Sequence, residues 1–211
     1  MLVKLVSKNA VILSAVALLC VAILGTVQQL TQPRIAEQIL ANKLAILHEV
    51  LPDASAEREL LQDCILITAP EFLGRNSPQA IYRWRQQGVI GAYIIETTAP
   101  DGYSGNIDLI VAVSPDGTVL GSRVLNHQET PGLGDKIDSR RDNWIFGFSG
   151  KAVAETNKAA WAVKKEGGQF DQFTGATITP RAVINAIYRA ARLVQLQPEL
   201  ADAKANCGDI L

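Results

Sequence analysis

The sequence predicts an α+β fold: a mainly antiparallel sheet with flanking helices, placed behind a single N-terminal transmembrane helix. Three observations predict it. An apolar run without a charged side chain occupies residues 9–30. Short β-branched and aromatic runs, bounded by Gly, Pro, Asn and Asp, fill residues 60–125. An amphipathic helical pattern closes the chain at 180–196. Strands followed by helices, rather than strict alternation, are the order of an α+β domain. The 211 residues, 48% of them hydrophobic, suffice for one domain or at most two. A formal net charge of −1 provides no basic footprint, so nucleic acid is not an expected partner. The abundance of aliphatic residues excludes a disordered chain.

The first element is NAVILSAVALLCVAILGTVQQL, residues 9–30. A bilayer core needs about 20 helical residues, whereas a signal-peptide core runs to about 7–15. Lys4 and Lys8 would suit a signal's basic start, but the following GTVQQLTQPR holds no A-x-A cleavage pattern. Bulky Leu19 before Cys20 argues against lipoprotein processing. An uncleaved, single-pass anchor is therefore expected, with the lysines in the cytoplasm and the chain beyond about residue 30 on the outer face. The predicted division is a cytoplasmic stretch at 1–8, the span at 9–30, a membrane-proximal helix at 31–55, a folded domain at 56–197 and a tail at 198–211. Cys64 and Cys207 would face an oxidising space, where they can pair or stay incidental. No C-x-x-C spacing supports a zinc or dithiol site.

In the outer part, Pro33–Leu51 has apolar residues at 35, 39, 40, 44, 46, 47 and 51, the spacing of a helix that follows a break at Pro33 and stops at Pro52. His48 within it reads as a structural histidine. The runs LLQDCILITAP, AIYRWRQQ, GVIGAYIIETTAP and NIDLIVAVSP read as strands. Ser114-Pro115-Asp116-Gly117 is a turn that joins Ile107–Val113 to Thr118–Leu125 in a hairpin, Pro presetting the bend and Gly accepting positive φ. NHQETPGLGDKI (126–137) is an irregular polar loop. The aromatic residues of RDNWIFGFSG are expected to pack on the sheet, and AWAVKKE reads as a short strand. The last helix, about Pro180–Leu196, would bury Val183, Ile184, Ile187, Ala190, Ala191 and Val194.

The chemistry concentrates in FDQFTGATITPRAV, residues 170–183. Thr179 reads as an N-cap with Pro180 at the first helical position. The free amides and positive end of that helix favour a phosphate, and Gly175 and Ala176 let a bulky ligand approach the backbone beside Thr177. Taken alone, four small and common residues favour an ordinary strand-to-helix turn. Other signatures are absent or fragmentary. Gly150-Lys151 lacks the earlier glycine of an ATP-binding loop, and Gly132-Leu133-Gly134 is only part of a dinucleotide pattern. No G-x-S-x-G elbow, triad or metal set points to a hydrolase. His127 near Glu129 has no partner nucleophile and reads as a loop-ordering residue.

In combination, these pieces say more. Gly102-Tyr103-Ser104-Gly105, then His127-x-Glu129-Thr130-Pro131-Gly132-Leu133-Gly134, Trp144, Gly167-Gly168-x-Phe170-Asp171 and Thr174-Gly175-Ala176-Thr177 follow one another behind a membrane anchor. The chain thereby resembles the covalently flavinylated FMN-binding domains of membrane electron-transport complexes, specifically the G subunit of the Rnf/Rsx ion-translocating oxidoreductase, over roughly residues 9–195. The resemblance implies an FMN joined by a phosphoester to Thr177, the last hydroxyl residue of the [S/T]-G-A-[S/T] motif. Thr174 stands where Ser is also frequent, and Thr174, Gly175 and Ala176 complete the attachment loop. Glu129 and Thr130 are expected near the ring or ribityl chain, with Gly132, Leu133, Gly134 and Tyr103 around them. It further implies a flavin transferase that uses FAD, the other membrane and peripheral subunits of the complex as partners, and a bacterial inner membrane with the domain periplasmic. Such a subunit would relay electrons without a soluble substrate of its own. Two alternatives stand beside it: a C-subunit-like component of a sodium-translocating quinone reductase, and a non-redox assembly or sensor module on the outer face.

Overall fold

The computed structural model describes residues 2–51 and 57–207. Helix α1 spans Leu2–Val50 with Pro33 inside it. The break expected at Pro33 does not occur. A proline removes one helical N–H, and the carbonyl that loses its donor belongs to Gln29, which is exposed, so the loss is confined to one accessible group. Pro52, expected as the stop, lies outside the described residues; Leu51 before it has already left the helix.

The chain divides into two units, Met1–Leu44 and Ala45–Leu211. In the first, Ala10–Ile35 is 26 residues long with a hydropathy of 2.7, and none of it is buried. It is the one segment among the described residues long and apolar enough to cross a membrane. The last residues of α1 belong to the second unit.

That second unit is built on an antiparallel meander. After α2 (Glu57–Gln62) come β1 (Cys64–Ile67), α3 (Pro70–Leu73), β2 (Gln79–Gln86), β3 (Val89–Gly102), β4 (Gly105–Val113), β5 (Thr118–Asn126) and β6 (Lys151–Ala152). The strands lie in chain order in one sheet, every neighbour antiparallel. Helix α4 spans Ile178–Leu196. The α+β architecture with a mainly antiparallel sheet and flanking helices is the predicted one. The Ser114–Gly117 turn also forms as expected: the Gly117 amide donates to the Ser114 carbonyl at 2.9 Å, and Gly117 takes φ +90°.

Two expected strands are corrected. Leu60 and Leu61 lie in α2, so the strand read into LLQDCILITAP is confined to Cys64–Ile67. AWAVKKE forms no strand. Its hydrogen bonds close locally instead, from Lys164 N to Phe170 O at 2.7 Å and from Gly168 N to Val163 O at 3.1 Å. Gly167 turns this segment at φ +86°, and Gly168 lies so close to the Ala162 carbonyl that a Cβ would sit 1.9 Å from it. A chain folded back on itself in this way has no free edge to offer a sheet.

Both faces of the sheet are buried. On one, Ile81, Ile95, Leu109 and Val111 share a core with Val183, Ile184, Ile187, Ala190, Ala191 and Val194 of α4, the helix face predicted from spacing. On the other, the alternate residues Tyr82, Ile94, Ile110 and Ala112 are equally buried. Their cross-strand neighbours Gly121 and Arg123 meet the end of α1. A Cβ on Gly121 would stand 2.5 Å from the Val50 carbonyl oxygen. Arg123 donates to the Glu49 carboxylate at 2.8 Å and to the Glu49 carbonyl at 3.1 Å.

Cys64 and Cys207 form a disulfide that closes a loop of 143 residues and holds the C-terminal segment on β1. Asn206 extends that contact: its side-chain oxygen accepts from the Leu66 amide at 2.6 Å, and its own amide donates to the Cys64 carbonyl at 3.0 Å. An exposed edge strand is thus covered.

Two outcomes are expected. Replacing both Cys64 and Cys207 by Ser should lower unfolding stability by about 2–4 kcal/mol, measured by denaturant titration, with the variant insensitive to reductant. Ile187→Ala, at a fully buried position of α4, should cost about 2–5 kcal/mol in the same titration.

Candidate functional site

The Thr174–Thr177 loop is short and closed. Phe173 and Ala176 form an antiparallel bridge, with the Ala176 amide donating to the Phe173 carbonyl at 3.3 Å, and Thr174-Gly175 make the tip. Gly175 adopts φ +84°, where a side chain would be strained, and its Cα hydrogen side faces Leu133. The arm leading in is held by rings: Trp144 meets Phe173 edge-on at 5.0 Å, and Phe148 stacks on Phe170 at 4.4 Å. The Trp144 indole N–H also donates to the Asp171 carbonyl at 2.8 Å.

Helix α4 begins earlier than its sequence suggests. Thr177, not Thr179, is the N-cap residue, and Pro180 is the third helical residue instead of the first. A distant partner occupies the Thr179 side chain. The Thr179 hydroxyl donates to Glu129 Oε2 at 2.5 Å and is fully buried, so it is unavailable to cap amides of its own helix. Pro180 is tolerated because amides this early in a helix have no carbonyl to reach. Thr177 makes no side-chain capping bond and is exposed. At a position where threonine normally turns its hydroxyl onto the helix, this hydroxyl is uncommitted.

The 126–137 loop supplies the opposite wall. The Thr130 carbonyl accepts from the amides of Leu133 and Gly134, both at 3.1 Å, and Gly132 makes the turn at φ +78°. Glu129 is 4% exposed, yet both carboxylate oxygens are satisfied: Oε1 accepts from the Ser104 amide at 3.0 Å and Oε2 from Thr179. Gly134 is pressed against this carboxylate, since a Cβ there would lie 2.7 Å from Oε2. His127 orders the loop, as its sequence context suggested, by accepting the Glu129 amide on Nδ1 at 3.1 Å. Behind it, hydrogen bonds from the Arg140 side chain hold the Asp138 carboxyl below its usual range.

These pieces enclose a cavity of about 330 Å³, lined by Tyr103, Glu129, Thr130, Leu133, Gly134, Gly175, Ala176, Thr177, Ile178 and Thr179. The structure thus brings together most of the residues nominated from sequence. Gly132 and Thr174 shape the two loops without lining the cavity. Ile178 and Thr179 are lining residues that sequence reasoning did not nominate; the Thr179 hydroxyl meets Glu129, 50 residues away, a contact that no local signal marks.

The donor set suits a phosphate carrying a large planar ring. The uncommitted Thr177 hydroxyl stands beside the Ile178 and Thr179 amides, which no carbonyl of the helix can accept. Tyr103, Leu133 and Ile178 present apolar surface around it, at 68%, 41% and 44% exposure. Gly134 and Gly175 keep the backbone bare where a ligand must come close. FMN, a phosphate ester that carries such a ring, fits this description.

Comparison with known proteins agrees. Residues 102–192 match the model of the FMN-binding domain, and residues 1–50 match that of the RnfG N-terminal region. The chain is 46% identical over 203 residues to the G subunit of the ion-translocating oxidoreductase complex of Pseudoalteromonas atlantica, covering 96% of this chain and 94% of that one. It is 44% identical over 208 residues to the protein of the same name from Escherichia coli K12, covering 99% and 100%. Among solved structures, NqrC of Shewanella oneidensis shares the fold, with a TM-score of 0.50 and 24% identity over 72% of this chain and 78% of that one. With such identity sustained from the apolar helix to the last strand and beyond, the chain belongs to the family of ion-translocating oxidoreductase complex G subunits.

Proposed function

We propose that this protein is an electron-carrying subunit of a membrane-bound, ion-translocating oxidoreductase complex of the Rnf/Rsx type, and that it holds FMN through a phosphoester to Thr177. One observation carries the attachment: Thr177 is a cap-position threonine whose hydroxyl makes no capping bond, lining a cavity whose other walls suit phosphate and ring. Attachment requires a flavin transferase with FAD as donor. The Thr177 oxygen takes the FMN phosphoryl group, its O–H bond giving way to an Oγ–P bond while the pyrophosphate bond of FAD breaks, AMP leaves and the hydroxyl proton is released to water. FMN, when bound, exchanges one or two electrons; the chain's part is to hold it, shield it and tune it by burial and nearby charge.

A tether at the phosphate end suits a protein facing away from the cytoplasm, where a flavin that dissociated would not be replaced. Two features support that placement in a bacterial inner membrane with the domain periplasmic. Ala10–Ile35 is long enough to span, with Lys4 and Lys8 before it. The Cys64–Cys207 disulfide belongs to an oxidising compartment. The partners are then the other membrane and peripheral subunits of the complex. The quinone-reductase C-subunit reading is less favoured, because the matches at 44–47% identity that span nearly the full length are to G subunits.

Full-length protein made together with a flavin transferase should show ultraviolet-excited fluorescence on a denaturing gel. Thr177→Ala should abolish that band, while Thr174→Ala retains a hydroxyl at the attachment point and keeps part of it. Mass spectrometry of the peptide containing Thr177 should find one added FMN phosphoryl group. A bare peptide from protein matured in its native host would remove the proposal and favour a non-redox assembly module.

A further inference from the structure

The start of α4 is written in the sequence in two competing frames. In the local frame, Thr179 caps the helix and Pro180 takes the first position, a pairing that residue preferences favour. In the frame observed, Thr177 stands at the cap position without a capping bond and the helix opens at Ile178. Nothing within the segment itself explains the outcome, since Thr177 gains no capping bond from it. What separates the frames is the bond from the buried Thr179 hydroxyl to Glu129, 50 residues away in sequence.

Glu129 has no slack to follow a different register. Its second oxygen holds the Ser104 amide at the tip between β3 and β4, and Gly134 is pressed against its side chain. A carboxylate at 4% exposure must keep its donors, because leaving a buried charge unpaired is strongly unfavourable. The Thr179 hydroxyl is thereby drawn inward, and Thr177, two residues earlier, is left outward. The same bond accounts for which hydroxyl is available: Thr179 is fully buried and engaged, whereas Thr177 is exposed and free of a cap.

We propose that Glu129 and Thr179 form a positioning pair for flavin attachment, their hydrogen bond setting the helix register that presents the Thr177 hydroxyl to the transferase. Neither belongs to the Thr174–Thr177 loop, and neither takes part in the bond that forms. The inference rests on the Thr177 reading above and adds to it a determinant that lies outside the attachment loop.

The test uses full-length protein in detergent, purified without flavin, with purified transferase and FAD, reading the initial rate of covalent labelling against acceptor concentration. Thr179→Val keeps the shape of the side chain and removes the hydroxyl; Thr179→Ser keeps the hydroxyl. The expected result is a fall in labelling rate of roughly tenfold or more for Thr179→Val, seen mainly in kcat, with Thr179→Ser restored to near wild type. Melting temperatures and far-ultraviolet circular dichroism separate this from simple loss of fold. Should Thr179→Val not fold, Thr179→Ala, which also removes the hydroxyl, answers the same question: a several-fold slower rate with native melting supports the pair, and a wild-type rate overturns it. Labelling of Thr179→Val at the wild-type rate, or a Thr179→Ser variant as slow as Thr179→Val, overturns the proposal while leaving Thr177 as the attachment point. Wild-type protein that takes no flavin, or takes it on another peptide, removes the Thr177 reading and the pair with it.

Discussion

A single buried carboxylate organises the candidate site. Glu129 reaches the tip of the β3–β4 hairpin through the Ser104 amide, the start of α4 through the Thr179 hydroxyl, and its own loop through the close approach of Gly134. Buried charge is costly to leave unsatisfied, so each of these contacts constrains the other two. The cavity beside Thr177 is what remains between the three segments once the carboxylate has drawn them together. A weaker or more flexible residue at 129 would leave each segment to its local preferences.

The rest of the second unit supplies the stiffness that this junction needs. The sheet is buried on both faces, by α4 on one and by the end of α1 with α2 near the other, so the hairpin tip that carries Ser104 projects from a packed scaffold. The aromatic contacts from Phe170 through Phe148 and Trp144 to Phe173 hold the arm that leads into the Thr174–Thr177 loop. Arg123, bonded to Glu49 and lying over the Phe146 ring at 4.3 Å, ties the end of α1 to that same aromatic segment. Rigid support suits a bound redox group, because its surroundings set its potential.

Much of this was readable in the chain. The apolar run of residues 9–30 announces a spanning helix because no charge interrupts it, and the structure extends the candidate span to Ala10–Ile35. The Ser114–Gly117 turn formed as its residue types demand, and the buried face of α4 is the one its spacing marks. The Thr174–Thr177 loop stood out only in company with the glycine-rich 129–134 loop, which lines the same cavity. Where reading failed, the local signal was real but outvoted. Leu60 and Leu61 are apolar enough for a strand yet lie in a helix, and AWAVKKE has strand-like residues but folds onto its own carbonyls around Gly167 and Gly168.

The sequence by itself determined the elements: which stretch is apolar enough to span, which runs alternate as strands, and which threonines stand near a helix start. The register of that start belongs to the tertiary structure alone. Pro180 makes Thr179 the expected cap from local residues alone, whereas in the structure the Thr179 hydroxyl is engaged by a carboxylate 50 positions upstream and the helix opens at Ile178. Both frames place a threonine at the cap, so capping preference separates them little, whereas a hydrogen bond to a buried carboxylate, worth about 1.5–3 kcal/mol, is large on the scale of such local preferences.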